Sequence, residues 1–179
     1  DIRFDASRLI GYRNFCNKIW NAARYITMHI TEQPAPVTTY QYPVNQWLSH
    51  TLHHTIATLE GHLAQYRFDL YAQCLYELIW HEYCDWYLEL TKPALNNSNP
   101  AIVAETQAML IDSLQTILAL AHPLLPFITD EINHQIQSIL GKTTATLTHC
   151  PYPTPNDWAS DSNTFDAINH LKSIITAIR

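Results

Sequence analysis

GYRNFCNKIWNAARY, residues 11–25, is the stretch that decides how this chain is read. Wound at about 100° per residue, it places Tyr12, Phe15, Cys16, Ile19, Ala22, Ala23, Ile26 and Ile30 on one side, an apolar back for a bundle. Arg13, Asn14, Asn17, Asn21 and Arg24 fall on the other side, with Trp20 and Tyr25 at its margins. Guanidinium, amide and aromatic groups on one helix face suit unstacked RNA bases and their phosphates.

Working outward, the first helix is predicted from about Asp5 to Thr31, where the Pro- and Thr-rich loop TEQPAPVTTYQYP (31–43) ends it. Asn45 is the expected N-cap of a second helix with a stripe of Leu48, Leu52, Ile56, Leu59 and Leu63. Tyr66–Asp69 reads as a turn, with Asp69 capping a third helix over about Leu70–Thr91. That helix is apolar nearly all round, which predicts a central place, and Lys92-Pro93 is expected to end it. Asn99-Pro100 opens a fourth helix, His122-Pro123 stops it, and a shorter one from Pro126 to Leu140 closes on Gly141. Thr143–Cys150 leans towards β, Pro151–Ser162 is a surface crossing, and a last helix covers Asn163–Ile178. The fold class is all-α: a bundle of four to five helices over residues 1–142, with a small α/β-leaning appendage at 143–179 of the same module.

Composition agrees. Three glycines among 179 residues are too few for doubly wound sheets or phosphate-cradling loops. No apolar run approaches the roughly 20 residues that cross a bilayer, and nothing resembles a signal peptide, so no membrane partner is expected. Cys16, Cys74, Cys84 and Cys150 form no C-x-x-C pair, which points to a reducing cytoplasm. The net charge of −6 conceals an asymmetry: residues 1–30 carry Arg3, Arg8, Arg13, Lys18 and Arg24 against only Asp1 and Asp5. A basic face on an acidic body can bind phosphate while the remainder stays soluble.

Other constellations are weighed against plainer readings. Glu77, His81 and Asp85 at i, i+4 and i+8 have metal-ligand spacing, but a polar seam on a buried helix is the better account, and no metal is expected. His50, His53 and His54 are expected on a solvated face. No nucleophile–base pattern appears, so no catalytic residue is assigned.

Three longer stretches, GYRNFCNKIWNAARY (11–25), AQYRFDLYAQCLYELIWHEYCDWYLELTKPAL (64–95) and LAHPLLPFITDEI (120–132), together with CPYPTP (150–155), resemble the anticodon-binding domain of class I aminoacyl-tRNA synthetases, most closely the valyl family. The family's catalytic and editing signatures do not occur here. The resemblance therefore implies a module of a larger ligase that lacks catalytic and editing domains and holds no cofactor, with ATP and Mg belonging to the parent. The implied partners are tRNA-Val, through the second and third anticodon letters A and C, and the parent's own catalytic domain. The alternatives are the same domain of an isoleucyl or leucyl enzyme, which WHEYCDWYLEL (80–90) disfavours, or an autonomous helical protein–protein module.

The RNA-binding candidates are Arg13, Asn14, Asn17, Lys18, Asn21, Arg24 and Tyr25, with Lys18 as a phosphate partner and Tyr25 or Trp20 as a stacking surface. Two readings stand for the asparagines: contacts to RNA, or hydrogen bonds to a neighbouring helix or to the catalytic domain. Trp20 is either a platform or part of the core. Arg3 and Arg8 are expected to be solvated or packed against absent parts.

Overall fold

A computed structural model describes residues 6–30, 32–143 and 145–178, with the side chains of residues 6–8 excepted. The helix ends expected at Asp5 and Thr31, and the side chains of Arg3 and Arg8, lie outside the described residues. The elements are α1 (Ala6–His29), α2 (Pro43–Ala64), α3 (Phe68–Tyr76), a π-helical segment (Glu77–Tyr87), α4 (Leu88–Leu95), α5 (Pro100–Ala121), α6 (Pro126–Ile139) and α7 (Ser162–Ile178). Single 3-10 turns at Leu147–His149 and Pro155–Asp157 lie between α6 and α7. All-α is correct, and among the described residues Thr143–Cys150 forms no strand. Asp130 instead gathers it into a turn, accepting from Thr146 Oγ1 (3.0 Å) and the Leu147 amide (3.1 Å).

Helix ends follow local chemistry. Asn99 Oδ1 accepts from the Ala101 amide at 3.0 Å, and Pro100 begins α5 at no cost in amide bonding. Both α2 and α6 close with paired carbonyl bonds around a left-handed residue. At Gly141 (φ 64°), the Gly141 and Lys142 amides donate to Ser138 and Gln137. At Tyr66 (φ 56°), the Tyr66 and Arg67 amides donate to Leu63 and His62, with a side chain where glycine would be unstrained.

Three expected boundaries are corrected. Asn45 is not a cap: α2 starts at Pro43, and Asn45 is fully buried, donating to Glu105 (2.9 Å) and accepting from the Tyr87 hydroxyl (3.1 Å). The same Glu105 oxygen also takes the Gln41 and Tyr42 amides, so a carboxylate from α5 satisfies donors at the start of α2. Asp69 lies in the first turn of α3 and holds the Arg67 guanidinium by two bonds, 2.9 and 2.6 Å. Pro93 does not end its helix, which runs on to Leu95 with Thr91 and Ala94 fully buried on either side of it.

The core runs through every helix. Ile19, Ile26, Trp47, Leu52, Ile56, Leu78, Ile79, Leu114 and Ile117 are all nearly or fully buried. Buried tyrosine hydroxyls find partners, Tyr83 at Ser113 Oγ and Tyr71 at the Leu120 carbonyl. The most enclosed helix is α5, with Thr106, Met109, Leu110, Ser113, Leu118 and Leu120 buried around its circumference. The rod over 68–95, expected at the centre, keeps Gln73, Glu77, His81, Asp85 and Glu89 exposed along one side.

The trailing segment docks on α2, and this corrects the reading of its histidines. His53 Nδ1 faces two carbonyls, Pro155 at 2.8 Å and Trp158 at 3.1 Å, and so carries the proton. His50 is buried, its ring 4.3 Å from Phe165 and its Nδ1 3.0 Å from Ser160 Oγ; His54 alone of the three is exposed. Lys172 of α7 reaches Glu82 and lies over the Trp47 ring at 4.7 Å.

Burial, with His54 and His53 as neighbours, pushes the His50 pKa below its ordinary value. The unfolded chain therefore binds this proton more readily than the folded one. Stability from a neutral His50 is complete above about pH 6.5 and declines as the pH falls below it. Thermal unfolding at pH 7.5 and 5.5 should show a smaller acid-induced drop in Tm for His50→Gln than for the unsubstituted protein. Equal drops would contradict this assignment.

Candidate nucleic-acid interface

α1 contains no Asp or Glu, so its cations have no counter-charge within their own helix. Its inner stripe is buried as expected at Ile19, Ala22, Ala23, Ile26 and Ile30. Tyr12, assigned to that side, is 63% exposed, because it borders an open groove rather than filling one. The stripe packs against the π-helical segment, α5 and α6, which leaves the opposite side of α1 uncovered.

On that side Arg13, Asn14, Asn17, Asn21 and Arg24 are all exposed. The strip from Arg13 to Arg24 is about 17 Å long at about 1.5 Å per residue. Among the described residues, none of these five side chains makes a hydrogen bond or ion pair within the fold. The neighbouring-helix reading of the asparagines is therefore not realised. The end of α1 is held separately: Gln107 Nε2 donates to the His29 carbonyl at 2.8 Å.

The flanks differ. Towards α6, Trp20 is half-buried beside Ala23, Thr27, Ile132 and Ile136 and packs against the core, so it belongs to the helix seam. Tyr25 also is half-buried and packs against the core, edge-on to His29 at 4.7 Å, with its hydroxyl enclosed without a hydrogen-bond partner. Lys92 of α4 is close enough for its charge to feel Tyr25, and it is paired with Glu89 at 2.7 Å.

Lys18, expected to face phosphate, is turned sideways. Its ammonium is 2.5 Å from Asp85 Oδ1 and 4.0 Å from the centre of the Trp80 ring. Trp80 in turn stacks with Tyr76 (5.4 Å) and Phe15 (6.4 Å). Sequence reasoning missed this junction, because its halves lie 67 residues apart. The apolar ring at Phe15 and the Trp80-to-Asp85 spacing were its only signals.

Glu77, His81 and Asp85 line an exposed edge, not a buried seam, with His81 3.8 Å from Glu77 and 3.3 Å from Asp85. Among the described residues, no group of three His, Cys, Asp or Glu side chains could hold a metal ion. A groove of about 660 Å³ opens beside the start of α1, lined by Tyr12, Phe15, Ala72, Leu75, Tyr76 and Leu124. Phe127 and Phe68 (90% and 59% exposed) also leave apolar surface on the molecule. The four cysteines are free, and among the described residues no helix is long and apolar enough to cross a membrane.

A family model described as the anticodon-binding domain of tRNA ligase matches residues 45–179. The valine–tRNA ligase of Stenotrophomonas maltophilia (strain R551-3) is 43% identical across the whole chain, which covers 19% of that protein. Those of Xanthomonas euvesicatoria pv. vesicatoria (strain 85-10) and Legionella pneumophila (strain Lens) are 42% and 40% identical, again across the whole chain. The chain thus spans about a fifth of the length of these relatives. The relatives cover α1, which precedes the span of the family model. An exposed polar strip on a helical bundle, a family match over most of the chain and relatives aligned along all of it lead to one conclusion: this chain belongs to the anticodon-binding domain family of tRNA ligases.

Proposed function

We propose that this chain reads the anticodon of tRNA-Val through the outer strip of α1, as one part of an ATP-dependent, cytoplasmic valine–tRNA ligase. The observation that carries this reading is the set of five exposed side chains, Arg13, Asn14, Asn17, Asn21 and Arg24, which make no hydrogen bond or ion pair among the described residues and stand on a helix without acidic residues. Within an acidic molecule, such a strip gives RNA a local place to bind.

The chemistry suits unstacked bases. An asparagine amide forms two hydrogen bonds with adenine, and amide oxygens accept from the cytosine amino group. Arginine stacks on a base or pairs with phosphate. Tyr25, held edge-on by His29, offers its ring to a splayed base at the end of the strip. The residues here supply binding and orientation, while ATP, Mg and the acyl-transfer chemistry belong to the rest of the parent. The parent's catalytic domain packs beside the start of α1, where the apolar groove is lined by Tyr12 and Leu124.

In the full-length ligase, Arg24→Ala or Asn21→Ala should lower kcat/KM for tRNA-Val by about 5- to 150-fold, the range of one lost base contact. Valine activation by ATP, followed as pyrophosphate exchange, should stay within about twofold. Equal loss in both assays would remove α1 from the reading. Changing the second anticodon letter should abolish the difference between wild type and variant. An unchanged difference would favour a protein interface on this face.

The unpartnered hydroxyl separates two roles of Tyr25. Tyr25→Phe should keep stability and tRNA affinity, whereas Tyr25→Ala should weaken binding by about 5- to 150-fold through loss of stacking. Weakening by Tyr25→Phe as well would show that the hydroxyl contacts the RNA.

A further inference from the structure

Among the cations of α1 with described side chains, Lys18 alone is captured by another helix, and the helix that captures it has an unusual winding. In an α-helix, at about 100° per residue, positions five apart are separated by about 140° around the axis. Trp80 and Asp85 would then point to different sides. The i→i+5 bonding of a π-helix brings such positions closer to one side, as the Leu88 amide bonded to the Tyr83 carbonyl illustrates. The Glu77–Tyr87 segment is wound this way, and both Trp80 and Asp85 reach the same ammonium, at 4.0 and 2.5 Å.

The junction is wider than an ion pair. Phe15, one turn before Lys18 on α1, stacks on Tyr76 at 5.1 Å, and Tyr76 stacks on Trp80 at 5.4 Å. The Lys18 side chain is 23% exposed, against 42% for Asp85, so the ammonium sits in the junction rather than on the open strip. His81 Nδ1 also lies 3.3 Å from the other carboxylate oxygen of Asp85.

We propose that Lys18 is a positioning residue for RNA recognition and not a phosphate ligand. Asp85 and Trp80 hold its ammonium, and through it they fix the rotation of α1 about its own axis, so that Arg13, Asn17, Asn21 and Arg24 point outward together. This rests on the anticodon-reading role of α1. It assigns the π-helical segment a purpose: its winding builds the clamp that aims a helix it does not itself replace.

The two possible roles of Lys18 give opposite signs in one experiment. The probe is an RNA stem-loop carrying a valine anticodon, titrated against full-length ligase from 50 to 200 mM salt. For a positioning role, Lys18→Met and Asp85→Asn should each weaken binding by about 5- to 20-fold. The slope of log Kd against log salt should be unchanged, the double variant should be little worse than either single one, and Lys18→Arg should restore binding to within about threefold. For a phosphate ligand, Lys18→Met should flatten the slope by about 0.7, and Asp85→Asn should tighten binding by freeing the ammonium; either result overturns the proposal. Unchanged affinity in both variants also overturns it. Urea unfolding of each variant establishes that the titrated protein is folded, and if Lys18→Met fails this test, Asp85→Asn and Lys18→Arg decide. Wild-type binding that ignores a change in the second anticodon letter would overturn the reading of α1 itself, a result distinct from any of these.

Discussion

Burial of one stripe of α1 is the constraint on which the rest of the structure depends. Ile19, Ala22, Ala23, Ile26 and Ile30 go under the π-helical segment, α5 and α6, and the turn of the helix then decides what faces water. Arg13, Asn17, Asn21 and Arg24 are outward because those apolar neighbours are inward. The function proposed for this chain is in that sense a by-product of packing: the core selects a rotation of α1, and the rotation selects a set of unpaired polar groups.

A single stripe leaves some freedom of roll, and cross-helix polar contacts remove it. The Gln107 side chain ties down the His29 carbonyl at the end of α1, while Lys18 is gripped by Asp85 and Trp80. Asn45, Glu105 and Tyr87 do comparable work, joining α2, α5 and the π-helical segment by hydrogen bonds. In the last third of the chain, α2 supplies the anchor. Its buried His50 and half-buried His53 add polar contacts to the apolar ones that Trp158, Phe165 and Ile168 make with the core.

The features legible in the sequence were those set by local periodicity and punctuation. The buried and exposed sides of α1, the Asn99-Pro100 start and the Gly141 stop are all determined within a few residues of themselves. Asn45 looked like a cap because asparagine near a helix start usually is one; its real partners, Glu105 and Tyr87, are 60 and 42 residues away. His50 and His53 looked solvated because the segment that covers them comes about 100 residues later. The π-helical winding was hidden for another reason: Glu77, His81 and Asp85, spaced by four, also fit one side of an ordinary helix, so their spacing did not single out the wider turn. Without that winding, Trp80 and Asp85 could not be placed on one side, and Lys18 read as a free cation.

The chain spans about a fifth of its relatives' length, and the role proposed for it comes down to one location, the outward side of α1. Photocrosslinking tests that location directly, with a photoreactive base at the second anticodon letter of tRNA-Val, full-length ligase and mass-spectrometric mapping of the attached peptide. The expected attachment lies within Arg13–Tyr25, on the outward side of α1. Attachment confined to α5, α7 or the segment docked on α2 would contradict the account.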